Sequence, residues 1–181
     1  MIIGLVRHYK VLINTPGYWM TSVEFREWID LYNESNIDRT NLTITDVNWD
    51  ACYSSNMTRA IHTAGTIHQG EIIITEDLRE IDISPFFNLN LKLHLNMWLI
   101  LGRVGWILKH RSQEDRTLTR DRAKKIITTI EDRHEKNENV LIVTHGAFMT
   151  VLRRELMNRG YKGDNFTKPK NGKIYKFLNN S

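Results

Sequence analysis

Ile2-Ile3-Gly4-Leu5-Val6-Arg7-His8 opens the chain, and Val140-Leu141-Ile142-Val143-Thr144-His145-Gly146 repeats its pattern near the other end. Short apolar runs rich in Val and Ile read as buried, parallel strands. Open α/β sheets place their chemistry just beyond the carboxyl ends of such strands, which is where His8 and His145 stand. Both imidazoles are therefore expected to face one crevice. Arg7 adjoins the first, and Arg59 follows a further strand-like run, Ala51-Cys52-Tyr53-Ser54-Ser55. Two imidazoles and two guanidiniums meeting at one point suit a phosphoryl group, because a guanidinium matches its oxygens bidentately and stays charged at any working pH. Either histidine alone would read as an ordinary core or loop residue; the combination at matching strand ends does not.

Outward from these runs, Thr21-Ser22-Val23-Glu24 has the spacing of a capping box, followed by Phe25, Trp28, Ile29 and Tyr32 on one helical stripe. A helix beginning at Asn56 places Ala60, Ala64 and Ile67 on one face and Arg59 in its first turn, beside free backbone amides that favour anions. Glu71 to Thr75 predicts a third strand. The alternating leucines of Leu89 to Leu95 predict an extended segment, and Met97, Ile100, Leu101 and Val104 switch to helical spacing. Ala123, Ile126, Ile127 and Ile130 mark another helix; Phe148, Val151, Leu152 and Leu156 mark the last, stopped by Gly160. Lys173 to Leu178 is expected to close the sheet as an edge strand. Strands alternating with helices imply a three-layer α/β/α sandwich with a largely parallel central sheet.

The 181 residues suffice for one sizeable core, read as one domain over 1–181. A hydrophobic content of 41% with 25% charged residues is that of a folded globular chain. Arg7 and Lys10 interrupt the opening apolar run before a signal peptide can form, and the most lipid-like window, Leu91 to Leu108, carries Lys92, His94, Asn96 and Arg103 and falls short of a span. The single cysteine, Cys52, excludes an internal disulfide, fits a reducing cytoplasm and reads as an inert core thiol. The formal net charge of +4 is mostly interleaved with Asp and Glu, so no nucleic-acid partner is expected, and the lack of a spanning segment leaves no membrane partner expected.

Four pieces of the chain, in order, resemble the histidine phosphatase superfamily, the phosphoglycerate-mutase-like fold. They are the strand ending in Arg7-His8, the run Ser54-Ser55-Asn56-Met57-Thr58-Arg59-Ala60-Ile61-His62-Thr63-Ala64, the triplet Leu78-Arg79-Glu80, and the strand ending in His145-Gly146. One departure stands out. The family usually has glycine after Arg-His, whereas here Tyr9-Lys10 follows, so the loop is expected to take a different path.

The resemblance implies that His8 is a nucleophile that becomes phosphohistidine and that Arg7, Arg59 and His145 line the phosphate pocket. It further implies that Glu80 donates the proton to the leaving group, with Asp82 a nearby competitor. Asn14 lies at the offset where relatives carry a phosphate-contacting asparagine, and Lys10 is a candidate substrate contact. Residues 83–118 correspond to a variable insertion over the active site; its Trp98, Arg103 and Trp106 are candidate substrate contacts, with simple packing the default for the tryptophans. No cofactor and no metal are implied, since the histidines lack close-spaced ligand sets. The implied activity is metal-independent hydrolysis of a small phosphomonoester. The alternatives are a mutase-like phosphotransferase, for which this chain is short, or a phosphate-binding module that Tyr9 keeps from turning over. Neither substrate identity nor oligomeric state follows from the sequence.

Overall fold

The computed structural model describes residues 1–15, 17–38, 47–85 and 90–179. In chain order its elements are β1 (Ile2–Arg7), β2 (Trp19–Met20), α1 (Ser22–Glu34), β3 (Ala51–Ser55), α2 (Thr58–Ile67), β4 (Ile72–Thr75), a 3-10 turn (Glu76–Leu78), β5 (Leu93–His94), α3 (Leu95–Ile107), α4 (Arg116–Arg133), β6 (Asn139–Thr144), α5 (Gly146–Asn158), β7 (Lys162–Gly163) and β8 (Ile174–Leu178).

Six strands pair in the order β4-β3-β6-β1-β8-β7. The first four run parallel, and β8 and β7 join antiparallel. Alternation along each strand separates two cores. On one face Ile3, Leu5, Val140 and Ile142 pack with Ile126, Ile127 and Ile130 of α4 and Phe148, Leu152 and Leu156 of α5. On the other, Val6, Leu141, Val143 and Cys52 pack with Ala60 and Ala64 of α2 and with Trp49. A Cβ on Gly4 would stand 2.5 Å from the Trp49 indole, so glycine is what lets that ring close against β1. The sandwich expected from the sequence is therefore the one observed.

Register then sets the functional end of the sheet. Arg7 pairs with Thr144 and Ser54 with Val143, so His8 and His145 emerge at one level beyond the carboxyl ends of adjacent strands, with Ser55, the last residue of β3, one step behind. The Thr21–Glu24 capping box is present in full at the start of α1. Burial pushes the Cys52 thiol up to about 12, in keeping with a core role.

Three expectations need correction. The tail strand is not the edge: β8 lies between β1 and β7, because the antiparallel turn from β7 covers its outer side. Of Leu89 to Leu95 only Leu93–His94 is strand, pairing antiparallel with Trp19–Met20, and Leu89 lies outside the described residues. The following helix starts at Leu95 rather than Met97, since Leu95 and Trp98 share its buried face with Gly102 and Gly105. This region forms a third small core, in which Phe25 stacks on Trp98 at 5.6 Å and the Trp98 indole donates to Met20 O at 2.8 Å. Among the described residues no helix is long and apolar enough to cross a membrane.

Candidate active site

The crevice is assembled from strand ends outward. His8 leaves β1 with its backbone N–H donating to Thr144 O at 3.0 Å, while Asn171 Nδ2 donates to His8 O at 2.6 Å from the far end of the chain. Its ring is 2% exposed. Nδ1 lies 2.6 Å from Tyr9 O, and a carbonyl can only accept, so the proton sits on Nδ1 and the lone pair on Nε2. Nε2 receives only a long contact, 3.3 Å, from Arg59 Nε. Burial, then the charges of Arg59 and Arg7, pull the His8 pKa down to about 3. The imidazole is neutral at any working pH.

Tyr9 does not disturb this arrangement. It has no positive φ, its side chain is buried, and its backbone N–H donates to Thr63 Oγ1 at 2.9 Å. Thr63 in turn donates to Arg59 O at 2.7 Å, so one hydroxyl ties the loop after His8 to the helix that carries Arg59.

Arg59 enters in the first turn of α2, as expected, and is held on three sides. Its Nη1 donates to Asn33 Oδ1 at 2.9 Å, its guanidinium lies 5.1 Å from the centre of the Tyr32 ring, and its Nε faces His8. Arg7 donates from Nη1 to Pro169 O at 3.2 Å, and it lies across Gly146, where a Cβ would come within 3.2 Å of its Nε.

His145 is fully buried, its ring centre 5.1 Å from that of His8. Ser55 Oγ accepts from Met57 N at 3.3 Å and lies 2.9 Å from His145 Nε2; taking the serine hydroxyl as the donor to Nε2 assigns the ring proton to Nδ1. That Nδ1 has no partner, and neither has the buried Nε of Arg7. Two orphaned donors thus belong to one crevice, where an acceptor would relieve an unsatisfied-donor cost of about 1–3 kcal/mol each. Burial, reinforced by His8, Arg59, Arg7 and Arg122, keeps the His145 pKa well below its ordinary value.

Glu80 reaches the same end of the molecule. Its carboxylate accepts from Ala147 N at 3.3 Å and Phe148 N at 3.1 Å, at the start of α5, and from its neighbour Ile81 N at 3.0 Å. Arg103 of α3 stands 3.7 Å away. An anion at a helix N-terminus is where the peptide dipoles favour it. Asp82 points elsewhere: its side chain is 71% exposed and pairs with Arg79 at 3.7 Å. Lys10 and Asn14 are exposed on the loop leaving β1, and the structure does not gather their side chains with the others. Trp106 donates to Thr119 Oγ1 at 3.3 Å and packs on the main core, so both insertion tryptophans serve packing.

Sequence reading missed the partners. Ser55 and Thr63 lie inside the run around Arg59 and were open to notice as hydroxyls flanking it. Asn33 and Asn171 carry no local signal at all. A cleft of about 660 Å³ lies at the amino ends of β3 and β4, lined by Trp49, His68, Glu71 and His134. Another, of about 590 Å³, reaches Glu80 from the side of α4. Among the described residues no three His, Cys, Asp or Glu side chains converge as a metal site.

Comparison with known proteins identifies the family and the fold. The family model of the histidine phosphatase superfamily (branch 1) matches residues 34–178. No curated protein matches the chain. In fold it is similar to phosphoglycerate mutase from Bacillus anthracis, at 22% identity and a TM-score of 0.63, over 97% of this chain and 86% of that one. It is similar also to the alpha-ribazole phosphatase of Shigella flexneri, at 17% identity and 0.63, over 97% and 89%. A phosphoserine phosphatase of Entamoeba histolytica, at 17% and 0.54 over 98% and 90%, was solved in complex with 3-phosphoglyceric acid.

Proposed function

Because the chain belongs to the histidine phosphatase superfamily, we propose that it is a metal-independent phosphomonoester hydrolase working through a phosphohistidine on His8. The observation that carries this reading is the state of that ring. It is neutral, its tautomer is set by Tyr9 O, and its Nε2 lone pair lies against a guanidinium rather than a protein hydrogen-bond donor of its own loop.

On this reading the substrate phosphoryl group enters between His8 and His145. Its oxygens take hydrogen bonds from Arg7, Arg59 and His145 Nδ1, supplying the two orphaned donors with partners and holding the charge that spreads over the oxygens during transfer. The His8 Nε2 lone pair attacks phosphorus in line while the bond to the leaving oxygen breaks, and that oxygen takes a proton from Glu80, which enters the step as the carboxylic acid because the negative phosphate bound beside it opposes a second anion. Tyr9 O stabilises the imidazolium through Nδ1–H. Glu80, now a carboxylate, takes a proton from water; the water oxygen attacks phosphorus, the P–N bond breaks, and inorganic phosphate leaves a neutral His8.

Residues 1–181 are read as one catalytic domain, with 83–118 an insertion bringing Arg103 to Glu80. Small phosphorylated metabolites are the substrate class, and the cytoplasm is the setting suited to a lone buried cysteine. The non-turning-over alternative rested on Tyr9, and the ease with which Tyr9 is accommodated supports turnover instead.

The experiment is hydrolysis of an aryl phosphate in excess chelator, combined with acid quenching. Turnover should persist, and the quenched chain should carry phosphate that is labile in acid and stable in base. Activity lost on chelation and restored by a divalent ion would overturn the reading.

A further inference from the structure

The outer face of α3 is apolar where water should meet polar groups. Met97, Ile100, Val104, Ile107 and Leu108 are 42–69% exposed and recur at helical spacing, while Leu95, Trp98, Gly102 and Gly105 fill the buried side. The β2–β5 pairing places two exposed aromatics at the start of this stripe, since Tyr18 stacks on His94 at 5.6 Å and Trp19 meets it edge-on at 5.8 Å. Scattered exposed apolar residues need no explanation; a contiguous helical stripe with an aromatic end does.

Charge indicates what covers it. Residues 83–113 contain no Asp or Glu, and residues 83–120 hold six Lys and Arg against Glu114 and Asp115. That surplus equals the net charge of the whole chain, +4, so the rest is neutral in sum. Glu24 stands near Lys92 and Asp115 near Lys109, whereas Arg111, three residues beyond Leu108, is exposed.

We infer that the outer face of α3, with Tyr18 and Trp19, is a docking surface for an anionic lipid bilayer. The aliphatic stripe sits at the boundary of headgroups and acyl chains, the aromatic pair lies in the interfacial layer, and Lys92, Lys109 and Arg111 meet anionic headgroups. The expectation of no membrane partner rested on spanning length. A helix of 13 residues rises only about 20 Å and cannot cross a hydrocarbon core of about 30 Å, but lying on a surface requires one apolar face and flanking cations instead. A second copy of the chain fits less well. A symmetric pairing of two α3 faces brings the cationic surplus of 83–120 against itself.

The test is co-sedimentation of the intact protein with phosphatidylcholine vesicles, with and without phosphatidylserine. Binding should require phosphatidylserine and weaken with salt. Lys109→Gln with Arg111→Gln should weaken it about 30-fold, at roughly 5-fold per cation, and Ile100→Asp with Val104→Asp should abolish it. Both pairs lie on the outer surface, so circular dichroism and aryl phosphate turnover in solution should match the wild type. Absence of binding to the anionic vesicles, or equal binding to neutral ones, overturns the inference. So does a dimer in sedimentation velocity that the Ile100→Asp/Val104→Asp variant splits into monomers, which would give the face to a second copy. Because binding is read without turnover, it stands or falls separately from the phosphatase reading.

Discussion

At the carboxyl ends of the central strands, His8 and His145 each keep a ring nitrogen from any strong protein partner; at the amino ends, His134 commits both of its own. His134 Nδ1 lies 2.8 Å from Glu138 Oε2, and its Nε2 lies 3.0 Å from the buried Tyr53 hydroxyl. The surroundings differ in sign as well. Burial, reinforced by guanidiniums, opposes protonation of the first pair, so His8 keeps a lone pair and His145 keeps an unpartnered ring nitrogen, whereas a carboxylate accepts from His134 and turns it into a staple between α4 and β3. An open cleft of about 660 Å³ lies at the stapled end. Burial and space therefore do not make an imidazole reactive. What its two nitrogens are bonded to does.

The sharpest way to break this contrast is to remove each ring. His8→Ala should drop turnover to background and remove the acid-labile phosphate, because the atom that forms the P–N bond is gone. His134→Ala should leave kcat/KM within about twofold and instead cost about 1–3 kcal/mol in urea unfolding, since Tyr53 and Glu138 lose their partner. Near wild-type turnover in His8→Ala would end the phosphohistidine mechanism, and a large catalytic loss in His134→Ala would dissolve the distinction between the two ends.

Glu80 and Asp82 repeat the comparison two residues apart. Glu80 faces the start of α5 beside His145, and Asp82 faces solvent. If Glu80 is the general acid, Glu80→Gln should slow hydrolysis of alkyl phosphates by about 10²–10⁴-fold, while activated aryl phosphates, whose leaving groups need little protonation, lose far less. Asp82→Asn should change both by less than twofold. Equal losses on both substrates in Glu80→Gln would reassign the residue to holding α5 in place.

Both strand-end histidines, Arg59 in a first helical turn and the capping box were readable in the sequence because each is a local pattern: an apolar run with its next residue, or a fixed spacing. What was not readable is contact through space. Asn33 steadies Arg59 from 26 residues away and Asn171 holds His8 O from 163, and no periodicity encodes either. The start of α3 was misjudged for a related reason. Its buried face includes Gly102 and Gly105, which are invisible to a hydrophobic pattern, so Leu95 was read with the alternating leucines before it. The inward place of β8 depends on which strand covers it, again a tertiary fact.

Arg59 tests whether the cationic surroundings act on substrate or only on His8. Arg59→Ala should cut kcat/KM for aryl phosphate on the order of 10²-fold, the scale of a lost transition-state donor. Asn33→Ala, which frees the guanidinium without removing it, should show a smaller loss carried mainly by KM. A loss in Asn33→Ala as deep as that in Arg59→Ala would mean that α1 supplies more than positioning.

The smallest effect concerns stability, and its sign follows from the depressed pKa of His8. In the folded protein the ring stays neutral down to about 3, while its ordinary value is 6.5. Between those limits unfolding takes up a proton, so the stability present in full above pH 6.5 falls as pH drops through the window. Between about pH 7.5 and about pH 5 the His8 contribution amounts to about 2 kcal/mol, or roughly 30-fold in the folded-to-unfolded ratio. Urea unfolding of the wild type and of His8→Gln at both pH values isolates it, because carboxylate titrations common to the two chains cancel in the difference. His8→Gln should lose about 2 kcal/mol less than the wild type on acidification. His145, depressed in the same direction, remains in both chains and sets a shared background. If both chains lose stability in parallel, His8 is already able to take a proton in the folded state, and the guanidiniums around it are not what keeps its lone pair free.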